Sequence, residues 1–336
     1  MFLELLRQGL KYLFLAFMAT AGISQLSPGD RPGNAHNRPA LIESAQYHQS
    51  WFVAIEMADD QTGYLLSREG LILRTGDGGK SWLELQSFKA RQPDWLRDIS
   101  VISPESAWVV GNRGLIQKTL DGGKTWIDQS LPETGDFLAI DALDAKNAVI
   151  VGSEGVIFRT SDGGKNWRQE HADIRDNIYD VEMINENSCL AVTGQGNIIQ
   201  PDNIGSTWKI KADFNRRALH AITRAGDNLI FAVGEKGLIL RSTDAGETWQ
   251  EITSPYCRMF LSVDAIDSRQ IWVAGADGSV MKSSDGGNSW HLLATGVDHF
   301  LYSIKASRKG HLFAVGGNGC LISSFDSGKT WLQSMQ

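Results

Sequence analysis

The sequence has few cysteines and few prolines, and positive charge is not in excess. Three cysteines in 336 residues are too few for the disulfide framework of small extracellular domains. Cys189 and Cys320 fall at apolar positions of a repeat, which predicts buried thiols, whereas Cys257 lies in a connecting segment. Eight prolines beside 35 glycines indicate many tight turns rather than disorder. The net charge of −7 argues against nucleic-acid binding, which needs a basic surface.

The N-terminal segment has the three parts of a secretory signal. Arg7 and Lys11 supply positive charge, and a short apolar run and an Ala-Thr-Ala cleavage sequence follow them. The apolar run is shorter than the roughly 20 residues that span a bilayer. We therefore expect a cleaved signal peptide at residues 1–21, with an uncleaved anchor as the alternative, and a flexible linker at residues 22–46. Both readings predict an exported protein.

The clearest pattern is an octet that ends in tryptophan. It reads TGDGGKSW at Thr75–Trp82 and TSDGGKNW at Thr160–Trp167, and its closing tryptophans are spaced 41 residues apart after a first interval of 44. The aspartate and tryptophan positions of the seven copies are Asp77 and Trp82, Asp121 and Trp126, Asp162 and Trp167, Asn203 and Trp208, Asp244 and Trp249, Asp285 and Trp290, and Asp326 and Trp331. Asn203 makes the fourth copy degenerate. We assign these residues to the scaffold, since Asp-Gly turns suit hairpins and a tryptophan ring can pack against them.

Each octet belongs to a unit of four short β-prone runs, and this predicts an all-β, seven-bladed β-propeller with one such hairpin per four-stranded blade. The propeller should fill residues 47–336. Its blades are predicted at approximately residues 47–90, 91–131, 132–172, 173–213, 214–254, 255–296 and 297–336. Because each blade comes from contiguous sequence, the contact that closes the ring is not evident from this pattern.

The octet resembles the Asp-box, or BNR repeat, of sialidases, xyloglucan hydrolases and sortilin-like receptors, where it is a structural hairpin. The propeller region as a whole resembles the photosystem II stability/assembly factor family. The boxes, the degenerate fourth copy at Gly194–Trp208 and the arginine pair within Asn215–Leu219 carry this likeness. It implies a non-enzymatic assembly factor, exported to a periplasmic or thylakoid-lumen-like compartment, that binds a membrane protein or a subunit of a membrane complex through an arginine-rich face. Arg216 and Arg217 match the family's arginine pair.

Residues for catalysis are not evident. The arginine motif of sialidases (Arg-Ile-Pro) is missing, the histidines lack the spacing of a zinc site, and the paired glycines belong to turns rather than phosphate loops. We predict no catalytic residue, no metal and no cofactor, and we expect His220 to be packed or to face the channel. A carbohydrate-binding or glycoside-hydrolysing propeller is the alternative. Acidic residues converging with an arginine in the central channel would favour it, whereas arginines and aromatics on one face would favour the assembly factor.

Departures from the repeat are the candidate partner-binding positions. They lie in three connections between blades and comprise Trp95 and Arg97, Arg216 and Arg217, and Tyr256 and Arg258. Arginine and aromatic side chains suit protein recognition. Packing between blades is the alternative for Trp95, and a solvated loop is the alternative for the others. Adjacent arginines on a strand would face opposite ways, so one of the pair is expected to meet the partner and the other to pair with a carboxylate such as Asp213.

Overall fold

The structure, a computed structural model, describes residues 47, 50–85, 95–132, 134–202 and 207–333. All of them belong to one of the two compact units of the chain, Ala40–Gln336. The predicted signal peptide, the linker and Asn203 lie outside the described residues, and those predictions stay predictions. No helix in the described part of the chain is long and apolar enough to cross a membrane.

Twenty-eight strands form seven antiparallel, four-stranded blades in the described residues, and the predicted all-β propeller is confirmed. Blades 1 and 2 contain β1 (Phe52–Met57), β2 (Gly63–Ser67), β3 (Ile72–Thr75), β4 (Leu83–Glu84), β5 (Leu96–Ser103), β6 (Ser106–Gly111), β7 (Ile116–Thr119) and β8 (Ile127–Asp128). Blades 3 and 4 contain β9 (Phe137–Ala142), β10 (Ala148–Gly152), β11 (Ile157–Thr160), β12 (Arg168–Ala172), β13 (Ile178–Met183), β14 (Cys189–Thr193), β15 (Asn197–Pro201) and β16 (Thr207–Asp213).

The last three blades repeat the same order. They contain β17 (Leu219–Arg224), β18 (Ile230–Gly234), β19 (Ile239–Ser242), β20 (Gln250–Ile252), β21 (Phe260–Ala265), β22 (Ile271–Gly275), β23 (Val280–Ser283), β24 (His291–Leu293), β25 (Leu301–Ala306), β26 (Leu312–Gly316), β27 (Leu321–Ser324) and β28 (Leu332–Gln333). Short 3-10 turns follow β6, β10, β18 and β22.

The sequence of each second strand explains its place in the blade. Runs such as AVIVG in β10 and IFAVG in β18 are buried along their whole length. A strand covered on both faces by neighbouring blades needs a continuous apolar run rather than alternation. The fourth strands are short and mostly exposed, as in β4 and β8, because they form the outer edge of the ring.

The ring closes without exchange of a strand between the first and last blades. Each of these two blades pairs its own four strands in sequence order. The amide of Gly319 donates to the carbonyl of Ser50 over 2.7 Å, and the amide of Ile55 donates to Ser303 Oγ over 3.3 Å. A shared apolar cluster of blades 1 and 7 lies behind these bonds, so packing and a few hydrogen bonds close the ring.

Blades 3 and 4 are joined more closely than the other pairs. The outer strands β12 and β16 pair in parallel, at His171 with Thr207 and at Ala172 with Trp208. The two blades therefore form one eight-stranded sheet, at the place where the fourth octet is degenerate.

The topology gives the ring two faces. The upper face carries the turns between second and third strands and the connections that enter each next blade. Hydrogen bonds join the two kinds of segment, as from Asn112 N to Trp95 O at 2.9 Å. The lower face carries the octets and the turns between first and second strands, which bond to each other, as from Gly122 N to Glu105 O at 2.9 Å.

Candidate functional site

The octets of the lower face use their polar side chains to hold their own turns. In the first copy Thr75 Oγ1 donates to Asp77 Oδ1 over 2.9 Å and accepts the amide of Gly79 over 2.9 Å. Asp77 also accepts the amide of Ser81. The same bonds recur around Asp121, Asp162, Asp244, Asp285 and Asp326. The carboxylates are occupied inside the turns, which leaves them little capacity for a ligand.

The octets also join each blade to the one before it. Trp82 packs edge-on against Phe313 of blade 7 with ring centroids 6.4 Å apart, and Trp290 packs in the same way against Phe231 at 6.1 Å. The backbone of Gly79, at a φ of +81°, lies so close to Phe313 that a Cβ there would clash with the ring. Glycine is therefore needed both for the left-handed turn and for the approach of the blades.

All six predicted partner-binding residues lie at the upper face, but the structure does not bring them into one cluster. Trp95 and Arg97 lie together where the chain enters blade 2. Arg216 and Arg217 lie at the entry to blade 5, and Tyr256 and Arg258 lie at the entry to blade 6. Their role in binding a partner stays a prediction.

The arginine pair differs from the expectation of two strand residues facing opposite ways. Asn215 and Arg216 form a turn with φ values of 56° and 59°, before β17 begins at Leu219. Arg217 donates two hydrogen bonds to Glu251, of 2.7 and 2.6 Å, rather than pairing with Asp213. Asp213 instead accepts the amide of Asn215. Arg216 is exposed and therefore remains the more available of the two for a partner.

The connection into blade 6 is partly structural. Tyr256 packs against the apolar cluster shared by blades 5 and 6. Arg258 is exposed and forms an ion pair with Asp277 over 3.2 Å. Cys257 is an exposed free thiol, whereas Cys189 and Cys320 are buried as the repeat predicted.

Trp95 belongs to a cluster that includes a residue the sequence reasoning missed. The guanidinium carbon of Arg68 lies 3.3 Å from the centroid of the Trp95 ring, and that of Arg97 lies 5.8 Å from it. Arg68 occupies the turn between β2 and β3, at the repeat position that holds Asn112 in the next blade. A cation at that position is a departure from the repeat, and this was the signal available in the sequence. Burial, with Arg97 nearby, lowers the pKa of Arg68 to about 10.

The first strands of all seven blades line a central channel with a cavity of about 310 Å³. Its upper mouth is formed by one residue from each first strand: Val53, Arg97, Leu138, Tyr179, His220, Leu261 and Tyr302. His220 faces this channel, as expected, beside Tyr179 with ring centroids 5.4 Å apart. Burial lowers the pKa of His220 to about 4, so the imidazole is neutral at physiological pH.

Carboxylates lie deeper in the channel, where they join neighbouring blades. Asp98 Oδ2 accepts the amide of Ile140 over 2.9 Å, and Asp180 Oδ2 accepts that of Ile222 over 2.9 Å. Equivalent bonds run from Met183 N to Asp141, from Ala306 N to Asp264, from Ala142 N to Ser100 and from Ile304 N to Ser262. Each bond satisfies an amide on the free edge of a first strand, which would otherwise lack a partner.

Burial dominates the electrostatics of the channel. It raises the pKa of Glu56 to about 7, of Asp98 to about 6 and of Asp180 to about 8. Lys305 Nζ contacts Glu56 at 2.9 Å and Asp264 at 3.1 Å. Burial alone would lower the pKa of Lys305, but these two carboxylates raise it well above its usual value.

The channel therefore combines both features that were expected to separate the two functions. Acidic residues converge in its middle, with Arg224 3.9 Å from Glu182, while arginines and aromatics gather at the upper mouth. Four of the acidic residues accept amides of the next blade, which gives them a structural role. Within the described ranges, no group of histidine, cysteine, aspartate and glutamate side chains is arranged to hold a metal ion.

Fold and face together define the class: an Asp-box propeller with a closed, bonded lower face and a charged, aromatic upper face. The sequence profile of the photosynthesis system II assembly factor YCF48 family matches residues 43–305. The chain belongs to this family, and the predicted resemblance is confirmed.

Solved structures of low identity share the fold. A structure titled YCF48 bound to D1 peptide is 23% identical, with a TM-score of 0.70 over 87% of this chain and 96% of that chain. YCF48 from Cyanidioschyzon merolae is 24% identical, with a TM-score of 0.67 over 82% of this chain and 95% of that chain. The GH74 xyloglucanase from Xanthomonas campestris is 13% identical, with a TM-score of 0.69 over 89% of this chain but only 56% of the enzyme. No curated protein sequence matches the chain.

Proposed function

We propose that the protein is a non-enzymatic, extracytoplasmic binding propeller that assists the assembly or stability of a membrane protein complex. The observation that carries the proposal is the family match over residues 43–305. A relative with the same fold has been solved with a D1 peptide. We propose by extension that this chain binds a segment of a membrane-protein subunit of the D1 type.

The upper face is the proposed contact surface. All the arginine and aromatic departures from the repeat lie there, whereas the polar side chains of the lower face are occupied in their own turns. Arg216 and Arg258 are exposed on the upper face, and guanidinium groups suit bidentate contacts with carboxylates and carbonyls. Export of the protein follows from the signal-like sequence of residues 1–21.

Recovery of the partner tests this function. A C-terminally tagged chain is expressed in its native cells, the envelope is solubilised in mild detergent, and co-purified membrane proteins are quantified by mass spectrometry. We expect Arg216→Glu with Arg258→Glu to reduce recovery of one membrane protein at least several-fold, with an unchanged melting temperature. Arg269→Glu with Arg308→Glu is the matched control, because these exposed arginines lie in lower-face turns. Equal recovery by both double variants would contradict the proposed surface.

The acidic channel favours a carbohydrate-active protein as the second candidate. A glycosidase needs an acid and a second carboxylate on opposite sides of the sugar. The hydrogen bonds of Asp98, Asp141, Asp180 and Asp264 to neighbouring blades argue against that use. We expect the purified protein to release no reducing sugar from xyloglucan or sialylated glycans. Hydrolysis that Glu56→Gln or Glu182→Gln abolished would establish the enzyme instead.

A further inference from the structure

Two arginines without a carboxylate partner lie beside Trp95 at the upper mouth of the channel. The guanidinium of Arg68 stacks on the ring at 3.3 Å, and that of Arg97 lies 5.8 Å from its centroid. Arg97 Nε donates to the side-chain oxygen of Asn112 over 2.8 Å. Arg68 Nε is buried and has no hydrogen-bond acceptor, and in the described part of the chain neither arginine forms an ion pair.

This arrangement differs from that of the other upper-face arginines. Arg217 is paired with Glu251, and Arg258 is paired with Asp277. Placing two guanidinium groups near one another without an anion is unfavourable, and the lowered pKa values of Arg68 and Arg97 reflect their burial. In a chain of net charge −7, where carboxylates are plentiful, the site is left ready for an external anion.

An aromatic platform adjoins the two arginines. The rings of Phe300 and Tyr302 are stacked with centroids 6.2 Å apart and 11° between their planes, and Trp51 lies 6.2 Å from Tyr302. All three side chains are half-buried. Tyr302 and Arg97 both line the channel mouth, so the platform and the charge border the same opening. Below the mouth, Asp98 and Glu56 would repel an anion that moved deeper.

We propose that Arg68, Arg97 and Trp95, with the Phe300–Tyr302 platform, form the subsite that binds a carboxylate of an extended peptide from the membrane-protein partner. The proposal rests on the proposed function and deepens it. The carboxylate accepts hydrogen bonds from both guanidinium groups, and an adjacent apolar side chain of the peptide packs on the platform. Charge-assisted, bidentate bonds of this kind give geometric selectivity for a carboxylate over an amide.

Peptide pairs that differ only in one charge test the chemistry on the full-length mature protein. One pair is acetyl-Gly-Leu-Asp-Leu-Gly-amide and its Asn counterpart. The other is acetyl-Gly-Leu-Leu with a free C-terminal carboxylate and its amide, which separates a chain end from a side chain as the source of the anion. Calorimetry should show binding of at least one carboxylate peptide about tenfold tighter than its neutral counterpart, a difference near 1.4 kcal/mol. Equal binding within both pairs, or no binding of any peptide at millimolar concentration, would overturn the proposal.

Substitutions locate the site. Arg68→Met and Arg97→Met keep an apolar stem against Trp95 and remove the charge, and each should remove the preference for the carboxylate peptide. Arg308→Met, an exposed arginine of the lower face, is the control and should leave affinity unchanged. If the carboxylate preference survives in both upper-face variants, the proposal is wrong. If those variants also recover the membrane partner normally while Arg216→Glu with Arg258→Glu does not, this subsite fails and the proposed function stands.

Discussion

At the scale of single residues, the octets could be predicted from the sequence and the cluster around Trp95 could not. The bonds of Asp77 lie within a few residues of it, so a local pattern was enough to assign them. Arg68 and Tyr302 are far apart in the chain and meet only because the ring closes between the first and last blades. No local pattern records that meeting.

The box tryptophans should differ in their contribution to stability. Trp290 is 7% exposed and packs against Phe231, whereas Trp126 is only partly buried. We expect Trp290→Ala to lower the free energy of unfolding by about 3–5 kcal/mol, and Trp126→Ala by clearly less. Urea denaturation followed by circular dichroism measures both. Equal losses would show that burial of the ring does not govern the contribution of the octet.

At the scale of elements, blade 4 was correctly expected to be irregular, but what stabilises it was not foreseen. Glu170 on β12 is fully buried and accepts the indole N–H of Trp208 over 2.8 Å. It also accepts bonds from Arg159 at 2.7 Å and from Arg168 at 2.8 Å. The neighbouring blade thus holds the tryptophan of the degenerate octet, and the parallel pair of β12 with β16 reinforces the contact. Such a contact between blades cannot be read from either blade alone.

Removing Glu170 should therefore be costly. Glu170→Ala leaves buried arginine and indole donors without an acceptor, and we expect a loss of about 3–5 kcal/mol in unfolding free energy. Glu251→Ala is the matched control, because it breaks the exposed pair with Arg217 and should cost about 0–1 kcal/mol. Thermal and urea unfolding of the two variants give the comparison. A small effect of Glu170→Ala would show that the outer-strand pairing holds blade 4 without this network.

At the scale of the whole molecule, the channel carboxylates make stability depend on pH. The pKa values of Glu56, Asp98 and Asp180 are raised by burial to about 7, 6 and 8. A carboxyl group with a raised pKa binds its proton more tightly in the folded protein, so its stabilising contribution is complete below pH 4 and is lost as pH rises through 6 to 8. The octet aspartates act in the opposite sense, since hydrogen bonds lower the pKa of Asp244 and Asp285 to about 2.

We therefore expect the melting temperature to be highest near pH 4–6 and to fall by several degrees toward pH 8.5. Asp180→Asn keeps an acceptor for the amide of Ile222 and removes the titrating group. This variant should melt higher than the wild type at pH 8 and show a flatter profile between pH 6 and 8.5. Scanning calorimetry across pH measures it. A wild-type melting temperature that rose with pH through this range would contradict the assigned shifts.

The ring as a whole was foreseen from the repeat, because each blade is local in sequence. Its closure and its division into two unlike faces came from the structure. The lower face consists of octets bonded to the turns beside them, and the upper face carries the exposed arginines and the channel mouth. The central claim is that the membrane-protein partner is bound at the upper face.

Site-specific photo-crosslinking tests that claim most directly. A photoreactive phenylalanine analogue is placed at Glu154 or Lys236 in exposed upper-face turns, and at Lys146 or Asp227 in exposed lower-face turns as matched controls. After irradiation of intact cells, crosslinked membrane proteins are identified by mass spectrometry. The account predicts one membrane-protein partner crosslinked from the upper-face positions and not from the lower-face positions. Crosslinks of that partner from the lower face alone would contradict it.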